Sequence, residues 1–383
     1  MLATYKRFYD TLGGKQPDKL PFYYPTIACS VGSAILGRKA YTGADSMFFA
    51  EDLAYLQGKS AHREFIDKMH EDTIELYRIL KADLVRETVR ESFHPTKQVD
   101  EYTLMRENAD GSYAVKRFFP DTQSYGIIEN TAKKPEDADE LAELLQKRMD
   151  ARMNAPTEEQ LDAIYDNHLR FKAKADQYFP CTLSACSVYT ENTDPVWLET
   201  MVLEGETVSE YLLFNQQYVD IHLKYLKSKG YEYINAGCDL AAQNAPFYSP
   251  NTFEEVILPA LSKVTAAAHA AGLKYGYRTD GNTWPLFDKL FVESGVDVYG
   301  ECDRDAGMTV AKVLDASPTL VILGNICSAT LNLGTEQQVR EEVRATLEES
   351  GGMRYIPGPS NAIMHGTPVE NVFAMVDEIE KFK

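Results

Sequence analysis

The chain has 383 residues, 44% of them hydrophobic, enough to bury a large core and to build one big α/β barrel or two ordinary domains. Its 39 Lys+Arg against 58 Asp+Glu leave a net charge of −19, which repels a phosphate backbone and an anionic bilayer, so neither nucleic acid nor a membrane is an expected partner. The start lacks an apolar stretch with a small-residue cleavage site, no uncharged apolar run is long enough to span a bilayer, and the six scattered cysteines form neither a disulfide scaffold nor a structural zinc set. The expectation is a cytoplasmic protein with reduced thiols.

Residues 1–20 read as a helical lead-in, and "LPFYYPTIAC" as a first strand. "DKMHEDTIELYRILKADLV" is an amphipathic helix running into a second strand, "ADLVRETV". The aromatics and Gly-containing turn of "EYTLMRENADGSYAVKRFFPDTQSYGI" predict strand pairs, and the charged run at 130–176 predicts two solvent-facing helices. From about 178 the pattern becomes regular. "YFPCTLSACSVY", "EYINAGCDL", "LKYGYRTDG", "VDVYGECD", "TLVILGNIC" and "MRYIPGPS" are short β-rich runs separated by helical segments. Capping-box spacing at Thr252/Glu255 and Thr335/Gln338 marks two helix starts. Strand and helix alternating in this way indicate a parallel sheet with crossover helices, so the chain is read as one domain over 1–383, a TIM (β/α)8 barrel with an N-terminal helical extension.

In such a barrel the polar residues just after each strand share one mouth. Those positions hold Tyr24 and Thr26, Glu87, Tyr189 and Glu191, Cys238 and Asp239, Arg278 and Asp280, Glu301 and Cys302, Asn325, and Ser360 with Asn361. Any one of them has an ordinary reading as a helix cap or a packing residue; the recurrence of carboxylates is what marks a site. Tyr24, Tyr189, Phe247, Tyr248 and Trp284 are candidates to line an apolar slot, and His365 is the histidine best placed to reach the mouth. His62, His70, His168, His222 and His269 fall in helical patterns and read as surface or packing residues.

"GCDLAAQNAPFYSPNTFEEVILPAL", "RTDGNTWPLFDKLFVESGVDVYGECDRDAGMTVAKV", "LVILGNICSATLNLGTEQQVREEV" and "PGPSNAIMHGTPVENVFAMV" resemble, in that order, the uroporphyrinogen decarboxylase superfamily. The resemblance is strong over roughly residues 230–383, loose before, and implies a TIM barrel. Decarboxylases of this superfamily carry an early R-Q-A-G-R segment whose arginines clamp carboxylates and a G-H-G near the last strand. Here the early segment reads "YYPTIACSVGSA" and Asn361 stands where that histidine would fall, which argues against a polycarboxylate substrate. The methyltransferase branch includes enzymes with a zinc motif H-x-C-G-N, replaced here by "RTDGN".

What remains resembles the members that pass a methyl group from an O-methyl donor, such as a methoxylated aromatic, to cob(I)alamin on a separate corrinoid-binding protein. The resemblance thus implies a corrinoid carried by a partner, and a homodimer is compatible with it. Because cob(I)alamin is itself the nucleophile, the protein must improve the leaving group. Asp280 is the first choice of acid, with Asp239, Arg278 and Glu301 as catalytic companions. Asp239, Asp280, Glu301 and Cys302 are the alternative set of ligands for a Zn2+ ion doing the same work, and in that reading Arg278 holds Asp280 ionised. Tyr24, Tyr189, Glu191, Phe247, Tyr248, Trp284, Asn325, Asn361 and His365 are the expected substrate contacts. A porphyrinoid decarboxylase and a non-catalytic binding subunit of the same fold are the alternative readings.

Overall fold

The computed structural model describes residues 2–91, 93–151 and 154–382. Four helices, α1 (Ala3–Leu12), α2 (Cys29–Leu36), α3 (Asp45–Leu56) and α4 (Lys59–Ile79), precede the short strand β1 (Val85–Arg86). An antiparallel meander follows, β2 (Lys97–Asp100), β3 (Thr103–Glu107), β4 (Tyr113–Phe119) and β5 (Ser124–Asn130), then α5 (Ala138–Asp150) and α6 (Glu158–Ala175). The remaining strands are β6 (Cys181–Thr182), β7 (Tyr233–Gly237), β8 (Lys274–Thr279), β9 (Val298–Glu301), β10 (Val321–Ile326) and β11 (Tyr355–Pro359), with helical crossovers from β6 onward.

The architecture is the α/β barrel that the alternation predicts. β7 to β11 form a continuous parallel sheet in chain order, and β1 pairs in parallel with β6. The barrel wall is not closed by continuous ladders, since isolated bridges at Tyr23–Leu84, Leu183–Ile234 and Ile27–Ile363 join the pieces. The predicted first strand shrinks to such bridges for a chemical reason. Pro21 and Pro25 carry no N–H, so "LPFYYPTIAC" cannot sustain a ladder, and Tyr23 N donating to Pro357 O at 3.2 Å is what ties it to β11.

Helix α1 closes the bottom of the barrel. Phe8 packs with Tyr23, Leu84, Tyr233, Val298, Val321, Leu323 and Ile356, several of which begin their strands, so the C-terminal strand ends face the other way. The meander has its own apolar cluster, in which Phe49 of α3 stacks on Phe118 at 4.8 Å beside Leu104 and Tyr125. Thr335 and Gln338 form the predicted capping box. Thr252 does not cap its helix: Ser249 accepts from Thr252 N instead, because Pro250 starts the helix two residues earlier and needs no N–H partner there. Among the described residues no helix is long and apolar enough to cross a membrane.

Candidate active site

Three carboxylates from consecutive strands meet at the C-terminal ends. Asp239 follows β7, Asp280 follows β8 and Glu301 ends β9; each offers an oxygen, and those atoms lie within 4.8 Å of one another. The cluster grades from exposed Asp239 through half-buried Asp280 to buried Glu301, so it is open to solvent at one edge. Burial is the main cause that raises Asp280 to a pKa of about 6; the Asn361 hydrogen bond pulls down, while Asp239 and Asp303 push up. Glu301 rises to about 7, again mainly by burial, with Arg278 opposing and the two aspartates adding.

Strand register sets this geometry. Gly237 pairs with Arg278, which pairs with Gly300, and Glu301 pairs with Thr279 on one side and Gly324 on the other. A Cβ on Gly300 would sit 2.4 Å from Arg278 Cγ, so the glycine is what lets the arginine run across β9. Arg278 Nη1 then donates to Glu301 Oε1 at 3.0 Å. The expected Arg278–Asp280 ion pair does not form: the guanidinium is committed to Glu301, and its charge acts on Asp280 only at a distance, lowering that pKa less than the Asn361 hydrogen bond does. Asp280 instead accepts from Asn361 Nδ2 at 2.7 Å. Glu301 and Asn325 hold left-handed backbone at φ 75° and 86°, with Cys302 at φ 48°, conformations that non-glycine residues adopt at a cost of about 1–3 kcal/mol and that cluster at functional sites.

Four expected site residues are placed elsewhere. Cys302 is wholly buried, its thiol is directed to Met308 O at 3.2 Å, and burial pushes its pKa up, so it is not among the converging ligands. Asn325 is equally buried and donates to Cys302 O at 2.5 Å and Met308 O at 2.9 Å, which makes it a latch behind the site. Tyr24 donates to Leu80 O and stacks on Tyr77 of α4, outside the barrel wall. Its neighbour Tyr23 faces inward, where its hydroxyl accepts from Asn235 at 3.2 Å; alternation by one residue decides between the two. His365 bonds Ser30 on α2, 2.8 Å away, and does not join the carboxylates.

The other aromatics divide. Tyr189 and Phe247 are exposed, while Tyr248 is buried with its hydroxyl 2.7 Å from Thr190. Tyr189 donates to Glu191, and Asn192 Nδ2 donates to the carbonyl of Asp239, which ties the segment after β6 to the acidic cluster. Trp284 is half-buried, packs on Phe287 and donates to Gly307 O, a packing role.

A second charged constellation lies at the end of β1. Glu87 is approached by His70 at 2.8 Å, His168 at 2.7 Å and Arg90 at 3.1 Å, while Arg90 also pairs with Glu51. Burial works against its charge, but the His168 and His70 hydrogen bonds and Arg90 outweigh it and hold the carboxyl far below the usual range. Arg86, one residue earlier, is 3% exposed and was not singled out from the sequence, where it is simply a charge in "ADLVRETV".

Fold and site together define a TIM-type parallel barrel with a carboxylate-lined mouth. Residues 180–382 match the uroporphyrinogen decarboxylase (URO-D) family, and the chain belongs to that family. Among solved structures it is similar to a methyltransferase from Methanosarcina mazei, with 16% identity, a TM-score of 0.64, and 100% of this chain and 99% of that chain covered. A B12-independent methionine synthase from Shewanella is also similar, with 12% identity, a TM-score of 0.47, and 95% and 96% covered. At these identities the likeness is one of fold. No curated protein matches the chain.

Proposed function

We propose that the chain is a methyltransferase that moves a methyl group from an O-methyl donor, a methoxylated aromatic, to the cob(I)alamin of a partner corrinoid protein. The observation that carries this reading is the convergence of Asp239, Asp280 and Glu301 at the solvent-open end of the barrel. Family membership and the fold likeness to a methyltransferase support it, and the absence of a thiolate from the converging set suits an oxygen leaving group better than a thiol substrate.

The O–CH3 bond breaks with its electron pair staying on oxygen, and that developing phenolate needs a proton or a positive charge. Asp280, at the solvent-reached side and not ion-paired with Arg278, is the group that gives the proton. Glu301, paired with Arg278, shapes the field behind it. Asp239 completes a ring of oxygens whose spacing fits a divalent cation bound at about 2.0–2.2 Å. Were such an ion held by these three, it would supply Lewis-acid stabilisation of the same leaving oxygen. Exposed Tyr189 and Phe247 lie on the loops after β6 and β7 and are assigned to the arene face, and Asn361 fixes the Asp280 carboxylate. The corrinoid, as the second substrate, supplies the nucleophilic cobalt.

Mixing the purified protein with a reduced corrinoid protein and a panel of methoxylated arenes tests this directly. Demethylated product together with loss of the cob(I)alamin absorption is the expected result. No consumption of any O-methyl donor, with or without added zinc, overturns the proposal.

A further inference from the structure

The meander meets the barrel helices around a cavity of about 540 Å³, and none of Asp239, Asp280 and Glu301 lines it. Its wall takes Ser30 from α2, Phe49 from α3, Phe65 from α4 and Phe118 from β4. Ser30 is also the residue that His365 reaches from the loop after β11, so the cavity lies on the mouth side of the barrel, apart from the acidic cluster. A space of this size holds a molecule of more than one ring.

Its lining is graded from floor to rim. Phe49 and Phe118 are buried, Tyr41 and Phe65 are half-buried with ring centroids 4.7 Å apart, and exposed Lys39 holds its Nζ 5.4 Å from the Tyr41 ring. The charge is one-sided. Lys39 is the one charged lining residue, and among the described residues no carboxylate stands within ion-pair distance of it. The acids of α3 are spent elsewhere: Asp45 and Asp52 accept from Tyr125 N and its hydroxyl, and Glu51 pairs with Arg90 and His62. The side chains of Ser46 and Gln57 also line the cavity and, among the described residues, bond to no protein group. In a chain of net charge −19, a cavity whose charged wall is a lone cation favours an anion locally.

We propose that this cavity is a second ligand site, separate from the acidic cluster, for a planar aromatic molecule with one anionic group, its rings against Phe49 and Phe118 and its anion at Lys39. The rings leave water for an aromatic wall, while the anion stays at the solvent-reached rim and escapes the cost of burial. Because α2, α3, α4 and β4 share the wall, an occupied cavity ties the meander to the barrel. The site goes beyond the proposed methyl transfer and does not depend on it.

Calorimetric titration at low salt with 2-naphthalenesulfonate and with neutral 2-naphthalenesulfonamide provides the test. The wild-type protein is expected to bind the sulfonate at one site, about 2- to 5-fold more tightly than the sulfonamide, as an exposed ion pair allows. Lys39→Gln, at an exposed position where folding is not at stake, should erase that preference and spare the sulfonamide; Lys39→Arg should keep it. Ala54→Phe, which puts a ring into the cavity from α3, should weaken both ligands by at least about 10-fold. If Ala54→Phe does not fold, the Lys39 variants still decide. No saturable binding of either compound, equal binding of the two by wild type, an unchanged preference in Lys39→Gln, or undiminished binding by folded Ala54→Phe would each overturn the proposal.

Discussion

Glu87 and Glu301 both stand at the ends of parallel barrel strands, 5% and 8% exposed, yet they answer burial in opposite ways. Glu87 has three cationic or imidazole donors and stays charged at any working pH. Glu301 has one ion-paired arginine, Arg278, and the more distant charge of Arg86 against two neighbouring aspartates, and burial prevails, lifting it to about 7. The lesson is that the donor count around a buried carboxylate, not its depth, separates a structural anchor from a group able to exchange a proton or accept a cation.

The sharpest way to break this contrast is Asp280→Asn. Methyl transfer should fall by about 10²–10⁴-fold, the usual worth of general acid assistance, while thermal stability holds or rises because one charge leaves a repelling cluster. Donors that release more acidic phenols should lose less. Near-normal turnover across the donor panel would remove Asp280 from the mechanism.

Glu87→Gln should do the converse. Leaving His70, His168 and Arg90 without their anion is expected to lower unfolding stability by about 3–5 kcal/mol in denaturant titration. A variant as stable as wild type would show that the constellation is not an anchor.

The two regions also predict opposite pH responses. Asp280 and Glu301 bind protons more tightly folded than unfolded, so their contribution favours folding below the window and is lost as pH rises through about 6 and about 7. Glu87 has a lowered folded pKa, and its contribution is full above the ordinary carboxylate range and lost as pH falls. Compared with wild type, Asp280→Asn combined with Glu301→Gln should therefore gain about 1–3 kcal/mol of relative stability between about pH 5 and 8. A difference curve that stays flat would contradict the raised pKa values.

The smallest effect is expected for Gly300→Ala, whose methyl group meets Arg278 Cγ. A destabilisation of about 1–2 kcal/mol should accompany it. Displacing the arginine should also move the Glu301 titration further up, visible by carbon NMR of the carboxyl. An unmoved titration would mean that Arg278 reaches Glu301 by another path.

The family, the barrel class and the acidic trio were legible in the sequence because each depends on local order: apolar runs that end in Asp239, Asp280 and Glu301, spaced by helices. Alternation of strand and helix forces such residues to one end, so their convergence follows from the period alone. What the tertiary structure decided is which neighbour each side chain meets. Tyr23 rather than Tyr24 faces inward, and Arg278 takes Glu301 rather than Asp280. Asn325 and Cys302 turn away into the core, and Arg86 donates to Pro25 O from within the wall. These outcomes hang on one-residue alternation, on the space at Gly300 and on contacts between segments more than fifty residues apart, where a shift of a single register step would send every side chain to the opposite face.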